Sequence, residues 1–161
     1  MPHQGKRVCK TLLSFLLVFT SACVGISEMY RGRFVAPAHV VPFNEQGSHE
    51  GVWQTFDITI SYEYVQRAEI LEIKGRVFLG DPYQNVYPWL GYLDTYLIFL
   101  DPDSLVLDIV GLASGFNSRT DVFWRFSREL KIPPGTASLS FGYRGEVCEE
   151  NLCFPFQLMP Q

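Results

Sequence analysis

The sequence predicts an all-β fold, an antiparallel β-sandwich of seven or eight strands. Several segments alternate apolar and polar residues with a period of two, which is typical of strands with one buried face. Turn-forming Gly, Pro, Asn and Asp recur at fairly regular spacing, and no long stretch has the period of an amphipathic helix. Two packed sheets bury such alternating faces economically, so we expect a two-layer architecture.

The first strong alternation lies in residues 56–64, where aromatic and aliphatic residues alternate with polar ones. Residues 70–79 continue as a half-buried strand, but from residue 71 onward the apolar positions fall on the other parity. We expect a register break near residues 66–69 to explain this change. Gly75 within the second segment predicts a bulge or a close approach of another group to the backbone.

The middle of the chain carries strong turn signals. Residues 80–92 contain Gly and Pro near both ends and predict a loop. Residues 101–104 (DPDS) predict a type I turn between two strands, because proline presets φ at its second position. The sequence GLASG at residues 111–115 differs from a nucleophile elbow, whose serine stands in the middle. We therefore expect a glycine-rich loop there.

Three further segments, residues 121–132, 137–147 and 153–159, complete the predicted strands. The second of them places Leu139, Phe141 and Tyr143 on one face, as a strand over a core requires. The last contains Pro155, which suits an edge strand because proline donates no ladder hydrogen bond.

The order of these motifs resembles the immunoglobulin-like modules of bacterial envelope proteins. The segments YLIFLDPDSLVLDI and KIPPGTASLSF supply a strand, an Asp-rich turn, a second strand, a Pro-Gly corner and a final strand. The resemblance covers residues 71–143 and implies an immunoglobulin-like sandwich, without indicating a specific family.

The N-terminus has the layout of an export signal. Lys6, Arg7 and Lys10 precede an apolar run from Leu12 to Ile26. This run is shorter than the roughly 20 apolar residues that a transmembrane helix needs. We therefore expect export from the cytoplasm.

The sequence Thr20-Ser21-Ala22-Cys23 resembles the lipobox of bacterial lipoproteins, although that family usually has Leu, Val or Ile where Thr20 stands. The resemblance implies that Cys23 is acylated and becomes the mature N-terminus. Val24 follows it in place of the Asp that retains many lipoproteins at the inner membrane, which implies an outer-membrane location facing the periplasm.

Two other interpretations of the same residues stay open. Ordinary cleavage after Ala22, or after Ser27, would release a periplasmic or secreted protein. Cys23 would then be an unmodified residue, and it also suits a purely apolar place in the signal.

The chain divides into a signal peptide (1–22), a lipid anchor and tether (23–50) and a sandwich domain (51–161). Loss of the signal removes three positive charges and no acid, which changes the formal charge from −4 to −7. An acidic domain offers no electrostatic surface for nucleic acid, so we expect none as a partner. The expected partners are the membrane, through the lipid, and an envelope protein.

Cys148 and Cys153 are separated by four residues and predict a disulfide, because an exported chain meets oxidising conditions. Zinc binding is the alternative, but two cysteines do not complete a tetrahedral site.

Aromatic residues crowd the predicted loop, namely Tyr83, Tyr87, Trp89 and Tyr92. Exposed aromatics stack on sugars or anchor a protein partner. Alternatively, they fold back as a lid over one end of the core, since large exposed apolar patches are rare.

The sequence shows no convincing catalytic constellation, and we expect no metal or cofactor. It therefore predicts a non-enzymatic binding or assembly module of the cell envelope. A carbohydrate-binding module that uses residues 83–92 is one alternative, and a hydrolase with an unidentified site is the other.

Overall fold

The structure is a computed structural model that describes residues 25–43, 47–150 and 152–161. It confirms the antiparallel β-sandwich, with nine strands in two sheets among these residues. The predicted signal peptide and Cys23 lie outside the described residues.

The strands are β1 (Val41–Pro42), β2 (Ser48–Gln54), β3 (Ile58–Arg67), β4 (Ile70–Leu79), β5 (Trp89–Leu100), β6 (Val106–Arg119), β7 (Phe123–Lys131), β8 (Ser138–Glu149) and β9 (Leu152–Leu158). Two short helices accompany them, α1 (Ile26–Tyr30) and α2 (Asp81–Val86), together with one 3-10 turn (Pro37–His39). None of the helices in the described residues has the length and apolar character needed to cross a membrane.

The first sheet has the order β2-β3-β4-β7, and the second has the order β1-β8-β5-β6 with β9 also paired to β8. Successive strands change sheet after β1, after β4, after β6 and after β7. One layer of the sandwich thus contains β3, β4 and β7, and the layer that packs on it contains β6, β5, β8 and β9. This is the Greek-key arrangement of an immunoglobulin-like sandwich. Strand β2 extends the first sheet by one edge strand.

The main core lies between the two sheets and is built from the predicted alternating positions. Ile58 and Ile60 of β3 are fully buried, and so are Leu139, Phe141 and Tyr143 of β8 to within 2%. Each such side chain contributes about 1.5–3 kcal/mol relative to an exposed one.

The register break predicted near residues 66–69 is the turn of a β-hairpin between β3 and β4, with Ala68 at a φ of 54°. The register runs without a shift through Gly75 on both sides. A side chain at Gly75 would meet the ring of Phe126 at 2.6 Å. Gly75 therefore marks a close approach and no bulge.

The turn predicted at residues 101–104 is confirmed. The Asp101 side chain accepts hydrogen bonds from the backbone N–H groups of Asp103 and Leu105, both at 2.9 Å. The N–H of Ser104 donates to the carbonyl of Asp101 at 3.1 Å. This short-range network joins β5 to β6.

Two predicted loops are wrong in whole or in part. Residues 111–115 form the middle of β6, where Gly115 accommodates the indole ring of Trp124 from β7. Glycines carry no side chain, so this strand lacks a visible alternation. In the predicted loop of residues 80–92, residues 81–86 form α2, and Trp89 already begins β5.

The tether predicted at residues 23–50 is wrong for the described residues 25–43 and 47–50, because they supply β1, the start of β2 and a segment packed on the second sheet. The Ser27 hydroxyl donates to Asp108 of β6, and the backbone N–H of Val35 donates to the carbonyl of Ser104 at 3.0 Å. Val35 is 6% exposed. It packs on the outer face of the second sheet in a small apolar cluster with Tyr96, Ile98, Leu100, Val106 and Ile109. Residues 26–40 therefore cover one part of that face.

Candidate binding face

The four aromatic residues of the predicted loop divide between the two sides of the fold. Tyr83 lies on α2 and stacks on Phe156, with ring centroids 4.9 Å apart. Tyr87 contacts Phe154 with ring centroids 5.4 Å apart. Both tyrosines pack against the main core, as the lid interpretation predicts.

Tyr83 also belongs to a polar cluster at this end of the sandwich. Its hydroxyl donates to Asp57 at 2.7 Å, and the hydroxyl of Tyr143 donates to the other carboxylate oxygen at 2.5 Å. The hydroxyls of Thr55 and Tyr143 lie 3.1 Å apart. One carboxylate thus links the β2–β3 connection to α2 and to β8.

Burial raises the pKa of Tyr83 and of Tyr143 far above the ordinary value of 10.0, and the hydrogen bonds to Asp57 raise it further. Both phenols therefore stay protonated at neutral pH and act as donors. This cluster has the chemistry of a structural link rather than of a tyrosinate nucleophile.

Trp89 and Tyr92 lie on the other side, on the outer face of the second sheet. Trp89 is opposite Cys148 in β8, while its neighbour Leu90 points into the core. Tyr92 lies opposite Phe116 of β6, so the two share this face. Trp89 is 53% exposed and Phe116 is 66% exposed.

A polar row borders these rings on the same face. Asp94 accepts hydrogen bonds from Ser114 at 2.8 Å and from Arg144 at 3.2 Å. The guanidinium of Arg144 also lies 5.9 Å from the ring centroid of Tyr96. The row therefore presents fixed donors and acceptors beside Trp89 and Phe116.

The predicted disulfide joins Cys148 of β8 to Cys153 of β9 at the edge of this face. Glu146 lies within 4.8 Å of the two sulfurs. Because the sulfurs are bonded to each other, they offer no thiolate to a metal, and zinc binding by this pair requires reduction.

The open half of the face ends where α1 covers the sheet. A cavity of about 380 Å³ lies at this boundary, between Tyr30 of α1 and Tyr96 and Arg144 of the sheet. We define the open face as Trp89, Tyr92, Asp94, Phe116 and Arg144.

The sequence indicated Trp89 and Tyr92, but it did not indicate Phe116, Asp94 or Arg144. Phe116 directly follows residues 111–115, which were predicted as a loop. The sequence therefore did not show that Phe116 lies on a strand or which face of the sheet it is on. The other two residues become neighbours only through the pairing of β5 with β8, which are fifty positions apart at this point.

The open face combines exposed aromatic rings with the ion pair between Asp94 and Arg144. Aromatic and arginine side chains of this kind dominate the binding energy of many protein interfaces.

The chain was compared with protein-family models, with curated proteins and with solved structures. It matches none of them.

Proposed function

We propose that the protein is an exported, lipid-anchored module of the cell envelope that binds a partner protein without catalysing a reaction. In this proposal Cys23 carries the lipid, and the domain stands at the outer membrane facing the periplasm. The open face makes the contact with the partner. The exposure of Trp89 and Phe116 on the part of the sheet face that the N-terminal segment leaves open carries the proposal.

The chemistry of the open face favours a protein partner. The rings of Trp89 and Phe116 provide apolar area, and Arg144 and Asp94 provide charged hydrogen-bonding groups beside it. Binding energy concentrates on aromatic and arginine anchors surrounded by polar residues. Burial of two large rings removes apolar surface from water, which stabilises a complex.

The packing of residues 25–43 supports anchoring close to the membrane. Only Val24 and Gly25 separate Cys23 from Ile26, and the three extended residue steps from Cys23 to Ile26 span at most about 11 Å. An acylated Cys23 therefore keeps α1 near the lipid headgroups. The open face begins beside α1, so the partner would be met next to the membrane surface.

Site-specific photocrosslinking in cells tests this proposal. A photoreactive phenylalanine replaces Phe116 in one variant and Val52 in a control variant. Val52 is 65% exposed on β2, in the opposite sheet. We expect a discrete crosslinked protein from position 116, its loss when Trp89→Ala is added, and none from position 52.

Two results would contradict the proposal. One is an equal crosslink at both positions, and the other is no crosslinked protein at position 116. A change in tryptophan fluorescence on titration with envelope glycans, lost in Trp89→Phe, would favour the carbohydrate-binding alternative instead.

A further inference from the structure

Two arginines lie side by side on the outer face of the first sheet, on the opposite side of the molecule from the open face. Arg76 of β4 and Arg125 of β7 are directly opposite each other in the antiparallel register. Residues in such positions have Cβ atoms about 4.5–5.5 Å apart, and like charges there are destabilising. Both side chains are exposed.

Within the described residues, neither guanidinium has a carboxylate within ion-pair distance. Neighbouring basic residues of this face are paired, since Lys74 lies 3.1 Å from Glu63 and Arg67 lies 3.3 Å from Glu72. The two free guanidiniums instead flank one ring. Arg76 lies 5.4 Å and Arg125 lies 5.3 Å from the ring centroid of Phe123.

The arginine pair lines a surface concavity of about 660 Å³. Two serines line it as well. Ser61 of β3 lies opposite Arg76, and Ser127 follows Arg125 by two residues on β7. Glu63 also borders it, but its charge is offset by Lys74. Glu50 lines it too and has no ion pair among the described residues. With Lys74 offset by Glu63, the two arginines outnumber this single carboxylate, so the concavity combines a net positive charge with hydroxyl groups.

We propose that Arg76 and Arg125 form a binding site for a phosphate monoester. A guanidinium fork matches the oxygens of phosphate, and two forks together neutralise about two negative charges. A phosphate monoester carries between −1.5 and −2 at neutral pH, whereas one carboxylate is satisfied by a single arginine. Phe123 is 41% exposed beside the two guanidiniums, and its ring centroid lies 5.5 Å from that of Phe78, so an apolar or aromatic group on the phosphate gains contact area.

Titration of the mature protein with phenyl phosphate and with inorganic phosphate tests this site. Binding is followed by heteronuclear NMR at constant ionic strength, with sodium acetate and sodium chloride as reference anions. We expect saturable shifts at β4 and β7 with both phosphates, tighter binding of phenyl phosphate, and at least tenfold weaker binding in Arg76→Gln and Arg125→Gln. Lys131→Gln removes one positive charge from the same face of β7 and should leave the affinity unchanged.

The variants also have a readout that does not depend on the ligand. Removal of one arginine relieves the like-charge contact. The midpoint of thermal unfolding in chloride should therefore not fall in either variant. This measurement distinguishes a loss of phosphate binding from a loss of folding. Equal phosphate affinity in all variants, or equal shifts with acetate, would overturn the proposal.

The source of the phosphate is resolved by a second arm of the experiment. Vesicles of phosphatidylcholine with phosphatidic acid present the same group on a membrane, and vesicles of phosphatidylcholine alone serve as the reference. Binding that depends on Arg76 and Arg125 with the soluble phosphates indicates a soluble or sugar phosphate. Arginine-dependent binding that is seen only with phosphatidic acid vesicles indicates a lipid headgroup. If neither the soluble phosphates nor the vesicles bind in a way that depends on the arginines, the proposed site is contradicted.

Discussion

At the scale of single residues, Asp57 joins two tyrosines at one end of the fold. Its two carboxylate oxygens accept from Tyr83 and Tyr143, which come from distant parts of the chain. A hydrogen bond to a charged group contributes about 1.5–3 kcal/mol. The cluster therefore ties together α2, β8 and the β2–β3 connection in a way that apolar packing alone does not.

Replacement of Tyr143 by Phe should lower the free energy of unfolding by about 2 kcal/mol. Because the folded pKa of this phenol is raised above 10.0, its stabilisation is complete below pH 10 and is lost as the pH rises further. Urea unfolding between pH 7 and pH 11 measures both effects. The alkaline loss should be smaller in Tyr143→Phe, and identical profiles would count against the raised pKa.

Gly115 and Gly111 provide a matched pair in β6. A methyl group at Gly115 would collide with the indole of Trp124, whereas nothing lies within 4 Å of the same position at Gly111. Gly115→Ala should therefore destabilise the fold by about 1–3 kcal/mol and Gly111→Ala should not. Thermal unfolding followed by tryptophan fluorescence compares them, and equal stability would refute the close packing of Trp124.

At the scale of elements, β9 is an edge strand that pairs only with β8 in the described residues. The disulfide joins the two strands next to their turn. It closes a short loop, and loop closure of this size stabilises by about 2 kcal/mol in the chain-entropy model.

The Cys148→Ser, Cys153→Ser double variant should lose about 2 kcal/mol in chemical unfolding. Alkylation of the wild-type protein isolated from cells without reductant should leave both cysteines unmodified, as mass spectrometry of the C-terminal peptides would detect. Alkylation of both residues in that sample would show that the bond does not form in the cell.

The N-terminal segment, residues 25–43, packs on the second sheet, although its sequence predicted a tether. Val35→Asp places an unpaired charge against the small cluster on the second sheet, which should cost about 3 kcal/mol or more. Ala36→Asp, at the exposed neighbouring position, is the control and should change stability little. If the two variants unfold at the same denaturant concentration, residues 25–43 do not cover the sheet in solution.

Much of the fold was predictable because side-chain alternation is a local property. The pattern in β3 and in β8 identifies their buried faces without knowledge of their partners, and the Asp101 turn depends on four adjacent residues. Strand β6 was hidden because Gly111 and Gly115 interrupt its alternation. Turn signals around α2 were interpreted as a loop, since proline and glycine also occur at the ends of helices.

The candidate sites depended on long-range pairing and were less predictable. Phe116 becomes a neighbour of Tyr92 only through the β5–β6 register, and Arg76 meets Arg125 only because β4 pairs with β7 across the intervening hairpin. No pattern along the sequence specifies which strands pair with each other within a sheet. Sequence composition indicated aromatic residues available for binding, whereas the structure indicates which of them face outward.

At the scale of the whole molecule, the two sheet faces have different properties. The outer face of the second sheet carries the N-terminal segment and the exposed Trp89 and Phe116, while the outer face of the first sheet carries the arginine pair. A lipid at Cys23 would hold the first of these surfaces near the membrane. The orientation of both proposed binding surfaces would therefore depend on that anchor.

Intact mass spectrometry of the protein from the membrane fraction, beside a Cys23→Ser variant, tests the anchor most directly. We predict a mature chain that begins at Cys23 and carries acyl chains, with the acyl mass and the membrane association both lost in Cys23→Ser. An unmodified chain beginning at Cys23 or Glu28 and recovered in the soluble fraction would contradict a lipid-anchored module.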